Sequence, residues 1–208
     1  KRVAICVQHA LATLCIIVIS INFAKAFFHD ISSAGCGTLF PQRYYPLQRN
    51  DISTIETLKQ RLNELTEKTD DYVYVAASGM ILNNDILRKA DMPDTANAVP
   101  HMYATCDVDL RDGFPTDFLH AKYIVTTDPV QLHLPSGQEV VSYLALNVQS
   151  SESYIGRHFQ YMEQYELDDG VVAKLYVKIS DFDNEDLQEM RDYYGKLYPG
   201  YSNIFEDK

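Results

Sequence analysis

From Val3 to Ala24 the chain carries no charged residue; Lys1 and Arg2 stand directly before that run, and a single Lys25 follows it. As a helix rising about 1.5 Å per residue, the 22 residues reach roughly 33 Å, enough to cross a hydrocarbon core of about 30 Å. The run predicts one membrane crossing by residues 3–24, with the lipid bilayer as its partner. Basic residues favour the cytoplasmic side, so the Lys1-Arg2 end is expected inside and everything beyond about Phe28 outside the cytoplasm. The rival reading is a secretory signal peptide, since a basic start, an apolar core and the small-x-small triplet Ala24-Lys25-Ala26 also describe one. Length favours the crossing, because a signal core spans only about 7 to 15 residues. Gln8 and His9 are costly in lipid unless they face neighbouring helices of a polytopic protein. A start without Met, set hard against the apolar run, fits the C-terminal part of a longer protein.

The charge balance limits what the remainder binds. Three of the 18 Lys and Arg fall in the first 27 residues, which leaves 15 against 29 acids beyond them, a formal charge of -14. Such a surface repels nucleic-acid backbones and anionic headgroups, so nucleic acid is not an expected partner. About 180 residues can bury one sizeable core, to which the 15 Tyr and 9 Phe contribute. Cys6 and Cys15 read as small hydrophobes inside the apolar run. Cys36 and Cys106 would both lie outside the cytoplasm, where a disulfide between them is one option. With no Cys-x-x-Cys or His-x-x-x-His spacing, a structural zinc site is not expected.

Periodicity divides the rest. Residues 28–50 hold Gly35, Gly37, Pro41, Pro46 and the polar cluster Asp30 to Ser33, a juxtamembrane linker in which Phe40, Tyr44 and Tyr45 suit either headgroup level or core. Ser53 with Glu56 is a capping-box signature, and Ile55, Leu58, Leu62 and Leu65 predict a helix over 53–67. Tyr72 to Ala77 is β-branched and aromatic without alternation, as in a strand buried on both faces, and stops at Ser78-Gly79. A short helix is expected over Asn84–Ala90, an apolar patch at His101–Thr105, and a second buried strand over Tyr123–Thr126 ending at Asp128-Pro129. Ser136 and Glu139 form another capping-box signature for a mostly buried helix through Val140, Val141, Leu144 and Leu146 to about Val148. Asp168-Asp169-Gly170 between two strand-like runs, 159–167 and 171–179, signals a hairpin. A last helix runs from Asn184 to Tyr198, with Leu187, Met190, Tyr194 and Leu197 on one stripe and Pro199-Gly200 stopping it. The order predicts an α/β fold: a transmembrane helix over 1–27, a linker over 28–50, and over 51–208 a layered α/β domain with a mixed sheet and a C-terminal hairpin plus helix.

Two groups of residues are candidate binding sites. Asp107, Asp109, Arg111 and Asp112, with Asp117 and His120, could form a polar pocket for a sugar or an inter-domain clamp. The plainer alternative is a solvated loop in which Arg111 pairs with an acid and Asp112-Gly113 turns the chain. In open α/β sheets ligands sit outside the carboxyl ends of strands, and Ser78, Gly79 and Asp128 would occupy such ends if the two buried strands are parallel and adjacent. Ser-Gly is also an ordinary turn and Asp-Pro an ordinary strand terminator. His101, His120, His133 and His158 share no metal-ligand spacing. Neither Gly-x-Ser-x-Gly nor another recognisable triad pattern is present for a hydrolase.

The apolar anchor, Tyr72-Val73-Tyr74-Val75-Ala76-Ala77-Ser78-Gly79, Asn84-Asp85-Ile86-Leu87, Asp109-Leu110-Arg111-Asp112-Gly113-Phe114-Pro115, the run from Ala121 to Gln131 and the acidic tail together carry a resemblance. They resemble the C-terminal extracytoplasmic region of bacterial polytopic glycosyltransferases related to the dolichyl-phosphate-mannose protein mannosyltransferases, over nearly the whole chain. The resemblance implies a plasma-membrane enzyme passing a sugar from a polyprenyl-phosphate donor to a glycan or protein acceptor outside the cytoplasm. It implies inversion at an acidic residue of an early extracytoplasmic loop, often with a divalent metal. No position here matches that motif, so no catalytic or metal-binding residue carries over, and no cofactor is expected in this segment. The implied role is a last transmembrane helix plus a domain that helps hold the acceptor or shape the site, partnered by the remaining transmembrane part. A single-pass anchored binding or sensor domain is the alternative.

Overall fold

The computed structural model describes residues 2–27, 49–90 and 101–205, and the chain divides into two compact units, Lys1–Asn50 and Asp51–Lys208. The first unit contains helix α1 (Arg2–Phe27). Its stretch Ile5–Ala24 has a mean hydropathy of 2.0 and none of it is buried. By length and composition it is able to cross a membrane, and a signal sequence meets the same description. Two polar side chains close their hydrogen bonds on the helix itself: His9 Nδ1 with the Ile5 carbonyl at 2.7 Å and Asn22 Nδ2 with the Val18 carbonyl at 3.0 Å. This internal bonding lowers the cost of His9 in an apolar surrounding without a neighbouring helix. The expected linker lies almost wholly outside the described residues, as do Cys36 and the Phe40, Tyr44 and Tyr45 rings.

The second unit is a mixed α/β domain. Its elements are α2 (Ile52–Thr66), β1 (Val73–Ala76), α3 (Asn84–Lys89), α4 (Asp109–Asp112), α5 (Thr116–His120), β2 (Tyr123–Asp128), α6 (Glu139–Gln149), β3 (Phe159–Glu166), β4 (Val172–Lys178) and α7 (Asn184–Leu197). The sheet order is β1-β2-β4-β3, with β1 parallel to β2 and the other pairs antiparallel. Every residue of β1 is buried, which is why its sequence shows no alternation. Val73, Val75, Tyr123, Val125, Ala173 and Leu175 face Ile55, Leu58 and Leu62 of α2 and Leu87 of α3. Tyr74, Ala76, Ile124 and Tyr176 face Phe118 of α5, Val140 and Leu144 of α6, and Met190 and Tyr194 of α7. Helices thus cover both faces of the sheet, and each fully buried Leu or Ile contributes about 1.5–3 kcal/mol.

A bulge at Met162 in β3 sets which side chains reach which layer. Tyr161 is opposite Tyr176, whereas Glu163 is opposite Leu175, so the residues after the bulge switch faces. Glu163 thereby meets Arg61 of α2 at 2.7 Å, and Tyr165 packs into the α2 side of the core. The turn between β3 and β4 puts Asp169 at φ 57° and Gly170 at φ 72°, the conformation that Asp-Gly tolerates.

Both capping boxes expected at Ser53 and Ser136 are corrected by the structure. Asp51 holds the N-cap position of α2, and Ser53 lies inside the helix. At α6 the N-cap is Gln138, whose side chain makes no capping bond to the helix. Asp109, the first residue of α4, caps α6 from a distance in sequence, accepting the backbone N–H of Glu139 at 2.8 Å and of Val140 at 3.1 Å. A reciprocal box does form at α7, between Asp183 and Asp186. Leu146 and Leu197, expected on buried stripes, are 59% and 39% exposed. Both fall just past the arc of their helices that the sheet covers.

Candidate functional site

Strands β1 and β2 end side by side and parallel, the geometry that opens a crevice beyond their carboxyl ends. A cleft of about 460 Å³ opens there, beyond the end of β1. Ser78 and Gly79 form one wall, with Asn84 and Arg88 from α3, and Asp107 and Arg111 close the other side. The two candidate groups of the sequence therefore meet, through Ser78 and Gly79 from one and Asp107 and Arg111 from the other.

The strand-end wall is held by the loop after β2. Ser78 N–H donates to the Gln131 carbonyl at 2.9 Å. A Cβ on Gly79 would lie 2.7 Å from Gln131 Cβ, so this close approach requires glycine. Gln138, 1% exposed, organises the junction. Its Nε2 donates to Ser78 Oγ at 2.8 Å and to the Asp107 carbonyl at 2.5 Å, and its Oε1 accepts from the His133 and Leu134 N–H groups at 2.9 and 2.8 Å. With both amide hydrogens committed, the 3.0 Å contact between His133 Nδ1 and the Ser78 carbonyl is a donation from the imidazole. With Nδ1 donating, Nε2 is the nitrogen left to accept when the ring is neutral.

Arg111 is held in a fork. Its Nε meets Asp112 Oδ1 at 2.6 Å, and one terminal nitrogen bonds both Asp112 Oδ2 and Asp107 Oδ1. Asp112 Oδ2 also accepts the N–H groups of Asp107 and Val108, both at 2.9 Å. Burial pushes the Asp112 carboxyl up, but the Arg111 bonds and these backbone donors outweigh it and hold it below the ordinary aspartate range. A lowered carboxyl contributes stability above its unfolded pKa and loses it as pH falls through the lower folded value. Asp112→Asn is therefore expected to flatten the loss of stability below about pH 4, read from thermal melts across an acid series. An unchanged acid limb would assign it to other carboxylates.

Asp109 and Asp128 stand apart from the cleft. Asp109 is fully buried; besides capping α6 it accepts the Tyr198 hydroxyl at 2.6 Å, and that hydroxyl also lies 2.7 Å from Glu139 Oε2. Burial raises the Asp109 carboxyl, while bonds to Asp109 and Tyr198 lower that of Glu139. It is an internal clamp, neither solvated nor a pocket residue. Asp128 is the last residue of β2, opposite Val172, and pairs with Lys174 at 2.7 Å. Asp117 and His120 lie on α5, outside the lining.

Sequence reasoning did not single out Asn84, Arg88 or His133 as cleft residues. Only the fold brings α3 and the loop after β2 to the end of β1. It also missed a Ser180–His158–Asp186 chain, with Ser180 Oγ 2.7 Å from His158 Nδ1 and Asp186 Oδ2 2.9 Å from Nε2. Arg157 occupies the other Asp186 oxygen at 2.6 Å, and none of the three lines the cleft. The chain ties the start of β3 to the first turn of α7.

Cys106 is a buried free thiol donating to the Gly113 carbonyl at 3.1 Å. Among the described residues no group of three or more His, Cys, Asp or Glu is placed to hold a metal ion, so the divalent ion implied for the resembled enzymes finds no ligand set in them. Compared with known proteins, the chain matches no family model, and no curated protein or solved structure matches it significantly.

Proposed function

We propose that this chain is the C-terminal portion of a membrane glycosyltransferase that moves a sugar from a polyprenyl-phosphate donor to an acceptor outside the cytoplasm. In this reading α1 is a membrane span, and the domain from Asp51 onward is extracytoplasmic and itself not catalytic. The observation that carries it is α1, a 20-residue apolar stretch with no buried side chain, joined to an acidic domain with a built polar cleft. Such a helix needs an apolar medium, and the cleft gives the domain a place to hold an acceptor. The transferase chemistry itself rests on the sequence resemblance.

The cleft also favours the second reading, a single-pass anchored binding or sensor domain, since that role needs no other part. The test is intact mass and protease accessibility of the native protein in its membrane, followed by turnover of a polyprenyl-phosphate sugar. A polytopic protein several times 208 residues long, with the acidic domain outside and turnover present, is the expected result. A product cut near Ala26, or a protein of one crossing without turnover, would overturn the transferase reading.

A further inference from the structure

The groups around the cleft retain hydrogen-bonding capacity that the fold does not use. Asn84 commits Nδ2 to the Tyr103 carbonyl at 2.6 Å, which fixes the amide, because its oxygen has no reason to turn toward another carbonyl. Asn84 Oδ1 is closed to solvent and has no partner among the described residues. Thr105 donates its hydroxyl to the Val75 carbonyl at 2.9 Å and so keeps its lone pairs, and His133 keeps Nε2 as an acceptor. Ser78 Oγ accepts from Gln138 and retains its own proton.

The two arginines of the cleft differ. Arg111 is engaged by Asp107 and Asp112. Arg88 gives one nitrogen to the Met102 carbonyl at 2.7 Å, and among the described residues no carboxylate pairs with it. An arginine that no described carboxylate engages suits an anion from outside, which its planar fork binds well. The lining includes no Phe or Tyr, so a flat apolar ligand is a poor match. Acceptors and a hydroxyl around one unspent guanidinium match a ligand whose own hydroxyls donate and accept and which carries a negative group.

We propose that the cleft binds a polyhydroxylated small molecule bearing one anion, an acidic sugar or a sugar phosphate, with Arg88 on the anion and the Thr105 hydroxyl oxygen accepting from a ligand hydroxyl. The proposal deepens the reading of the cleft as a holding site and does not depend on the transferase chemistry.

The test is calorimetric titration of the full chain in detergent micelles with glucuronate, glucose 6-phosphate, glucose, acetate and inorganic phosphate. One of the two anionic sugars is expected to bind at least about tenfold tighter than glucose and than its own bare anion. Whichever of the two wins identifies the anion as carboxylate or phosphate. Arg88→Met is expected to weaken that binding at least about tenfold. Lys174→Met, outside the cleft, is expected to leave it unchanged, with melting temperatures confirming that both variants fold. Equal binding of glucose, equal binding of the bare anions, undiminished binding by Arg88→Met, or no saturable binding at all would each overturn the proposal. Any of these leaves topology and turnover as found, so the two readings fail separately.

Discussion

Gly156→Ala is expected to cost more stability than any other single-methyl change in the domain. The added Cβ would lie 1.9 Å from the Ser150 carbonyl oxygen and 2.5 Å from that of Asn147. Both are backbone atoms at the end of α6, so no side-chain rotation relieves the contact. Ser153 fixes the same spot, donating to the Asn147 carbonyl at 2.8 Å and accepting the Gly156 N–H at 2.7 Å. The main chain would have to move and break that junction, for a loss of about 4 kcal/mol or more. In a unit of this size the melting temperature should fall by roughly 10 °C or more. Gly195→Ala is the control, because its Cβ would meet only Ser202 Cβ at 4.0 Å inside α7. That change should be neutral or stabilise by up to about 1 kcal/mol. A Gly156→Ala protein that melts with the parent would show that the two segments do not pack as described.

The second large effect is expected at Asp109. Replacing it with Ala removes the cap of α6 and leaves the Tyr198 hydroxyl without its buried carboxylate partner. Loss of a cap costs about 1–2 kcal/mol and loss of a hydrogen bond to a buried carboxylate about 1.5–3, part of which the Tyr198 hydroxyl recovers through Glu139 Oε2, so a total near 3 kcal/mol is expected. Asp109→Asn keeps an acceptor oxygen for one of the two N–H groups and should lose clearly less. Urea unfolding of the two variants beside the parent measures both. A loss under about 1 kcal/mol for Asp109→Ala would mean that the start of α6 is satisfied by something else.

The contrast between Asp109 and Ser136 shows where the sequence was legible and where it was not. Helices and strands whose burial follows one face were readable: Ile55, Leu58 and Leu62 repeat at helical spacing because one side of their helix packs into the core. The buried run at β1 and the Asp-Gly hairpin were readable for similar local reasons. Ser136 and Glu139 looked like a cap because they are close in sequence, yet the carboxylate that caps α6 comes from position 109. The box at Asp183 went unseen because it uses an aspartate pair in place of the usual Ser/Thr with Glu. The candidate site was half legible. A Ser-Gly at the end of a buried strand marks a crevice in this class of fold, but Asp128 at the neighbouring end is drawn to Lys174, one strand over. Arg88 gave no signal, since an arginine on a short helix is ordinary until the fold places it at the end of β1.

The clamp between Asp109 and Tyr198 also has a consequence in time. These partners are 89 positions apart, and Gly113, at the foot of the same loop, has the Ile204 carbonyl against it. A ribosome adding about 5–20 residues per second delivers Asp109 roughly 4 to 18 seconds before Tyr198. Throughout that interval the Asp109 carboxylate lacks the Tyr198 hydroxyl, although the Glu139 and Val140 N–H groups are already there to meet it. The clamp is thus among the last contacts of the nascent domain to close.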